Sequence, residues 1–317
     1  MNKRINIGVI VVLFILSGCE GYLDIEPKGV VAPVTVDQLG KLLVGEYKLG
    51  YSNRVSLMMS DEFHITDDTH RSLLKWNKRA YLWEQPSDPG DTDLDWRDAY
   101  YIIYLANYVL GLIDEAPLNG LTESNRDHVK AQALAIRAYK YFDLVNIYAP
   151  HYNLATASND LSIPLLLSAD IDAQLPRSSV QNVYDQILED LLNSIELFPY
   201  SERPFVLINQ SLAGVYGLLS RVYLYMNDWD STEKYATLAL NEYDHLEDYN
   251  TYGSKENSGP ANELESTKNL EAVLFRSSTG SYSRGMSVYL NAQLVDLFEP
   301  GDLRYEYFIT VDTDGLH

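Results

Sequence analysis

Ala131-Gln132-Ala133-Leu134-Ala135-Ile136-Arg137-Ala138-Tyr139-Lys140-Tyr141-Phe142-Asp143-Leu144-Val145 is the stretch from which the fold is read. Ala131, Ala135, Ala138, Phe142 and Val145 recur at steps of three and four, which is the period of one helix face. Their small side chains make a narrow stripe, and a second helix can approach such a face closely. Thr122 stands where it can cap this helix, with Glu123 and Asp127 near its positive end. Pro150 stops it, because proline cannot continue the hydrogen-bond ladder.

Helical patterns continue on both sides. Asp95 to Ala116 places Trp96, Tyr100, Ile103, Asn107 and Leu110 on one side, with Asp95 as the expected cap. Asp37 to Lys48 carries a weaker pattern. Ser178-Ser179-Val180-Gln181 fits a capping box, and the helix after it shows Val180, Tyr184, Ile187, Leu188, Leu191 and Ile195 before Pro199. A further helix begins near Asn209, breaks at Asn227-Asp228-Trp229, and resumes from Asp230 to about Tyr243. That last pair resembles a degenerate tetratricopeptide repeat, with Leu219, Ser220 and Tyr223 at its large, small and aromatic positions. Thr232 stands where the repeat usually has Ala, so the match is partial. Residues 122–149 and 178–198 read as a second hairpin, with the loop 150–177 inserted. Residues 52–93 show few clear periods and read as a long irregular region. Glu271 to Phe275 reads as a short buried strand, and Leu290 to Phe298 as weakly helical. The expected class is mostly α, built from helix hairpins that must stack on neighbours to bury their apolar faces.

At the N-terminus, Lys3 and Arg4 precede a nearly unbroken apolar run from Ile5 to Leu16. The run is shorter than the roughly 20 residues that span a bilayer, and it reads as an export signal over residues 1–18. Its ending, Leu16-Ser17-Gly18-Cys19, resembles a bacterial lipobox. By that resemblance Cys19 is the first mature residue and carries the lipid. Cys19 is the only cysteine of the chain, so an internal disulfide is excluded. The 24 Lys and Arg against 45 Asp and Glu give a formal net charge of −21, which argues against nucleic-acid binding, because phosphate contacts need clustered cations.

Chemistry is sparse. Asp61, Glu62, His64, Asp67, Asp68 and His70 crowd together, but their spacing fits no recognised metal motif, and a solvated polar segment is the favoured reading. Asp91, Asp93 and Asp95 alternate as at the start of a calcium loop, yet Trp96 and Ile102 occupy the positions where an EF-hand needs Gly and Glu. A nucleophile elbow, a phosphate loop and a zinc-helix motif are all missing from the sequence. No cofactor, metal or catalytic residue is expected. A glycan-cleaving enzyme would need two carboxylates about 5–10 Å apart in a cleft, and no pair is singled out. The best functional clue is aromatic. Trp76, Tyr81 and Trp83 lie just before the first strong helix, and Tyr282 lies in a later Ser/Gly loop. Sugar rings stack on exposed aromatic faces while nearby polar groups bind their hydroxyls, and scaffold loops are where such residues are displayed.

Several segments together resemble one family. They are the lipobox followed by Tyr22-Leu23-Asp24, Asp61-Glu62-Phe63, Trp96 with Tyr100 and Asn107, and the helix containing Arg137 to Leu144. Arg177-Ser178-Ser179-Val180 leading to Asp190-Leu191, Tyr223-Leu224-Tyr225, Glu271 with Phe275, and Asp302 with Arg304 complete the set. Their order and spacing are similar to the SusD/RagB nutrient-binding lipoproteins of Bacteroidetes. The resemblance implies a SusD-like domain over 19–317 with long binding loops, anchored by lipid in the outer membrane and facing outward. It implies capture of a glycan or another nutrient for a SusC-like TonB-dependent transporter, without catalysis. Binding residues vary in that family, so none is carried over. Its members continue well past the Asp-x-Arg element, so a C-terminal part of the family fold is expected to be missing here. The alternative from another class is an envelope lipoprotein whose helical repeats serve only protein–protein assembly, with a continuous docking face and no exposed aromatic loop.

Overall fold

A computed structural model describes residues 32–45, 54–84, 93–198, 210–251, 270–274 and 288–309. The chain divides into two compact units, Met1–Pro33 and Val34–His317. All the described elements belong to the second unit. They are α1 (Val36–Gly45), α2 (Arg54–Met58), β1 (Phe63–Ile65), α3 (Asp67–Ser72), α4 (Lys75–Tyr81), α5 (Leu94–Leu112), α6 (Glu123–Tyr148), α7 (Val180–Leu197), α8 (Leu212–Tyr225) and α9 (Trp229–Glu242). The 3-10 turn Tyr249–Thr251, β2 (Val288–Leu290), α10 (Ala292–Val295) and α11 (Leu303–Phe308) complete the order. The fold is mostly α, as expected.

Helix α6 sits at the centre. Every residue from Ala131 to Val145 is buried, the polar ones included. A one-sided stripe was therefore too narrow an expectation, because two cores meet on this helix. Ala133 and Ile136 join Val36 and Leu39 of α1 with Ile102 and Val109 of α5. Ala138, Tyr141, Phe142 and Val145 join Val183 and Ile187 of α7 with Val215 and Leu219 of α8. A helix covered on both sides must be apolar or internally paired all round. Each fully buried aliphatic side chain here contributes about 1.5–3 kcal/mol. Gly40 lets α1 lie close to α6, since a Cβ there would come within 3.1 Å of Val129 Cγ2.

The hairpins form as read. Helix α6 packs along α7, and α8 along α9. In the second pair the Ser220 hydroxyl donates to the Thr232 carbonyl at 2.9 Å, and the Tyr223 and Tyr235 rings stack at 5.4 Å. The inserted loop 150–177 is tied down by helices α5 and α6. Tyr100 Oη donates to the Pro164 carbonyl at 2.7 Å, and Asn107 Nδ2 to the Leu166 carbonyl at 2.6 Å. Tyr141 Oη lies 2.7 Å from both the N–H and the carbonyl of Leu166. A main-chain bond from Ser162 N–H to the Ser178 carbonyl closes the base of the loop.

Four local expectations change. Residues 54–82 are not irregular: α2, β1, α3 and α4 fold there around Met58, Ile65 and Leu73. The helices are five to seven residues long, too short to display a period. The cap of α5 is Asp93, whose carboxylate accepts from the N–H groups of Asp95 and Trp96 at 3.0 and 3.1 Å. Asp95 is buried instead and accepts from Val55 N–H at 2.8 Å, tying α2 to α5. The cap of α7 is Ser179, not Ser178, and Gln181 turns away to Tyr152 and Asp185. Residues 270–274 form a turn and bend rather than a strand. Phe275 lies outside the described residues.

Candidate ligand-binding site

Helix α4 ends in an unusual way. Leu82 leaves the helix, and Trp83 adopts the left-handed conformation with φ 56°. Trp83 N–H donates to the Ala80 carbonyl at 3.1 Å, and Glu84 N–H to the Arg79 carbonyl at 2.8 Å. These are the two bonds of a Schellman motif, whose left-handed position usually holds Gly or Asn. Helix α8 ends with the same pair of bonds and has Asn227 there, φ 60°. A tryptophan at such a position costs backbone energy. It also remains 70% exposed, so packing does not compensate. The motif fixes the backbone that displays this exposed indole at the end of a helix.

The other aromatic candidates differ. Tyr81 is half-buried, with its ring 6.4 Å from Phe63 and 6.0 Å from His70. Its hydroxyl accepts the Ile65 N–H at 3.4 Å. It supports β1 rather than standing free. Trp76 lies within α4, its side chain outside the described residues, and Tyr282 and Cys19 fall outside them altogether.

A second aromatic surface was missed. Strand β1 pairs antiparallel with β2, so His64 faces Tyr289. Alternation along β1 turns Phe63 and Ile65 inward and leaves His64 exposed. The two rings stack at 5.7 Å and 28°. Asn291 seals the end of the ladder, its N–H donating to the Glu62 carbonyl at 2.8 Å. No local signal connects residues so far apart in sequence. The acidic cluster is spread out: Asp61 and Glu62 precede β1, Asp67 and Asp68 begin α3, and His70 turns to Tyr81. Among the described residues, no three His, Cys, Asp or Glu side chains come together as metal ligands. This module, α2 to α4 with β1 and β2, therefore offers rings and scattered carboxylates to solvent.

The helical scaffold is stiffened by a buried ion pair. Arg137 Nε and Nη2 donate to the two Asp190 oxygens at 2.8 and 2.6 Å, and Nη1 donates to Asn107 Oδ1 at 2.7 Å. Burial pushes the Asp190 carboxyl up, and hydrogen bonds from Arg137 and Gln186 offset part of that rise. Burial also holds the Tyr100, Tyr141 and Tyr184 phenols well above their ordinary range, so they remain protonated donors.

Residues 21–224 match the model of a SusD-like family described as starch-binding and associating with the outer membrane. Among curated proteins, SusD-like protein P2 of Formosa agariphila is 26% identical over 248 residues, covering 75% of this chain and 46% of that protein. The chain thus spans about half the length of the curated relatives it matches. Among solved structures, a SusD superfamily protein from Bacteroides thetaiotaomicron superposes with a TM-score of 0.64 at 22% identity, over 89% of this chain and 67% of its own. A laminarin-binding SusD-like protein superposes at 0.51 and 21% identity, over 64% and 43%. Likeness at these identities establishes the fold alone.

Proposed function

The chain belongs to the SusD/RagB family, and on that premise we propose that it captures glycans at the cell surface for a SusC-like TonB-dependent transporter. The observation that carries this reading is Trp83, an exposed ring displayed from a left-handed backbone at a helix end. A flat, exposed aromatic face suits the C–H face of a sugar, and the fixed backbone beneath it needs no rearrangement to present it. Trp83 is the proposed central contact, and Trp76 and Tyr282 are further candidate contacts. The His64–Tyr289 stack is a second candidate platform on the same module, with the exposed Asp61 and Glu62 as candidate hydroxyl-binding groups. Capture involves no bond cleavage. Cys19 carries the lipid that holds the protein to the outer membrane, facing the exterior. The family description and a laminarin-binding relative of the same fold support a polysaccharide ligand.

The test is retention on immobilised polysaccharides, laminarin and starch first, using the chain from residue 19 with Cys19→Ser. Trp83→Ala runs beside it, after circular dichroism shows both helical. Selective retention of one glycan, weakened roughly tenfold or more in the variant, is expected for loss of a stacked ring. A helical protein that retains no glycan refutes the reading, and retention unchanged in Trp83→Ala removes the site from α4.

A further inference from the structure

The charge of the chain is unevenly spread. Against a formal net charge of −21, residues 71–83 hold Arg71, Lys75, Lys78 and Arg79 and no Asp or Glu. The acids of the same module gather earlier, Asp61 and Glu62 before β1 and Asp67 and Asp68 in the first turn of α3. Lys75, Lys78 and Arg79 recur at steps of three and four, so α4 carries them along one face. Lys75 is exposed, and Lys78 and Arg79 are partly so. Cations near a helix C-terminus complement its negative end. That is no habit of this protein, since α1 and the five long helices α5 to α9 carry no basic residue in their last turns.

These cations are built into the display of Trp83. The Lys78 carbonyl accepts the Leu82 N–H at 3.1 Å, and the Arg79 carbonyl accepts the Glu84 N–H at 2.8 Å. Both residues therefore belong to the turn that carries the exposed indole. Lys78 is placed further by its ammonium, which donates to the Arg71 carbonyl at 2.7 Å and ties the end of α3 to α4. That bond uses one of its three hydrogens, and among the described residues no carboxylate pairs with it. Arg71 is answered by the exposed Asp68 one turn away. A cation held in place without a counter-charge is ready to bond an anion from outside.

On the premise that Trp83 binds a glycan, we propose that the ligand is an anionic polysaccharide, bearing carboxylate or sulfate groups along its chain. A uronic or sulfated sugar keeps a C–H face for the indole and adds the negative group that the α4 cations engage. The acidic protein as a whole repels such a polymer, so attachment is local to these cations, and the surrounding charge discriminates against contact elsewhere.

Binding of the Cys19→Ser chain from residue 19 to surface-bound dextran, dextran sulfate, laminarin and alginate tests it. Dextran and its sulfate share a backbone, so their ratio reports charge alone, and alginate against dextran sulfate separates carboxylate from sulfate. At low salt at least one anionic polymer binds about tenfold or more tighter than either neutral one, and the preference shrinks as salt screens it. Lys78→Gln keeps a donor for the Arg71 carbonyl but removes the charge, and it lowers the preference about threefold or more. Should that variant misfold, Arg71→Gln, on an exposed side chain, takes its place with the same expected loss. Neutral glycans held as tightly as the anionic ones overturn the proposal and leave glycan capture standing. So does a preference undiminished in folded Lys78→Gln. Retention of none of the four by a helical protein overturns the premise as well.

Discussion

Arg137 commits all three guanidinium nitrogens inside the fold, and Asp190 has no solvent to fall back on, its side chain being only 2% exposed. Removing one partner strands the other charge, so Arg137→Met is expected to cost about 3–5 kcal/mol in urea unfolding. The double variant Arg137→Met with Asp190→Leu removes both charges and is expected to recover much of that loss; no recovery means the pair contributes more than its own desolvation. Such a residue was only half legible. Arg137 stands out in a mainly apolar stretch that also holds Gln132, Lys140 and Asp143, but its partner lies 53 residues away. Trp83 is visible as a tryptophan in polar surroundings, yet its left-handed conformation is hidden, because Leu82-Trp83-Glu84 lacks the glycine that normally announces a helix end.

At the scale of elements, caps decide where helices begin. Asp228 starts α9, its carboxylate accepting the Ser231 N–H at 3.1 Å and the Ser231 hydroxyl at 2.8 Å. These bonds hold its carboxyl below the ordinary value of 3.8. A depressed folded-state value stabilises the fold above the unfolded value and is lost as pH falls through the folded one. Asp228→Ala is therefore expected to lower stability by about 1 kcal/mol near neutral pH, with the gap narrowing below pH 3.8. A gap that stays constant down to about pH 2 would falsify the charged-cap account. The five long helices α5 to α9 were readable because each repeats its apolar period several times. The short helices α2 to α4 and the β pairing were not, since five to seven residues hold too little pattern and depend on tertiary partners. Thr122 caps α6 as read, but the start of α5 was misplaced: Asp93 and Asp95 are equally good cap residues in sequence, and only the burial of Asp95 against Val55 separates them.

For the whole molecule, stability should be graded. Residues Ala131–Val145 of α6 are shared by both cores, whereas the α2–α4 module rests on Met58, Ile65 and Leu73 with a few half-buried rings. Native-state hydrogen exchange is expected to leave the α6 amides protected longest and to open β1 and α4 first. Equal protection in both would mean a single cooperative unit. The order of helices was legible because it follows the chain; the joining of β1 to β2 was not, since register between distant strands leaves no local mark. That joining also sets a schedule. Residues 288–290 are made roughly 200 residues after β1, a delay of roughly ten to forty seconds at ~5–20 residues per second of synthesis. Through that interval β1 is an open edge, able to recruit any strand that comes near. At three residues it offers too short a template to recruit many, so its brevity protects the nascent polypeptide while it waits.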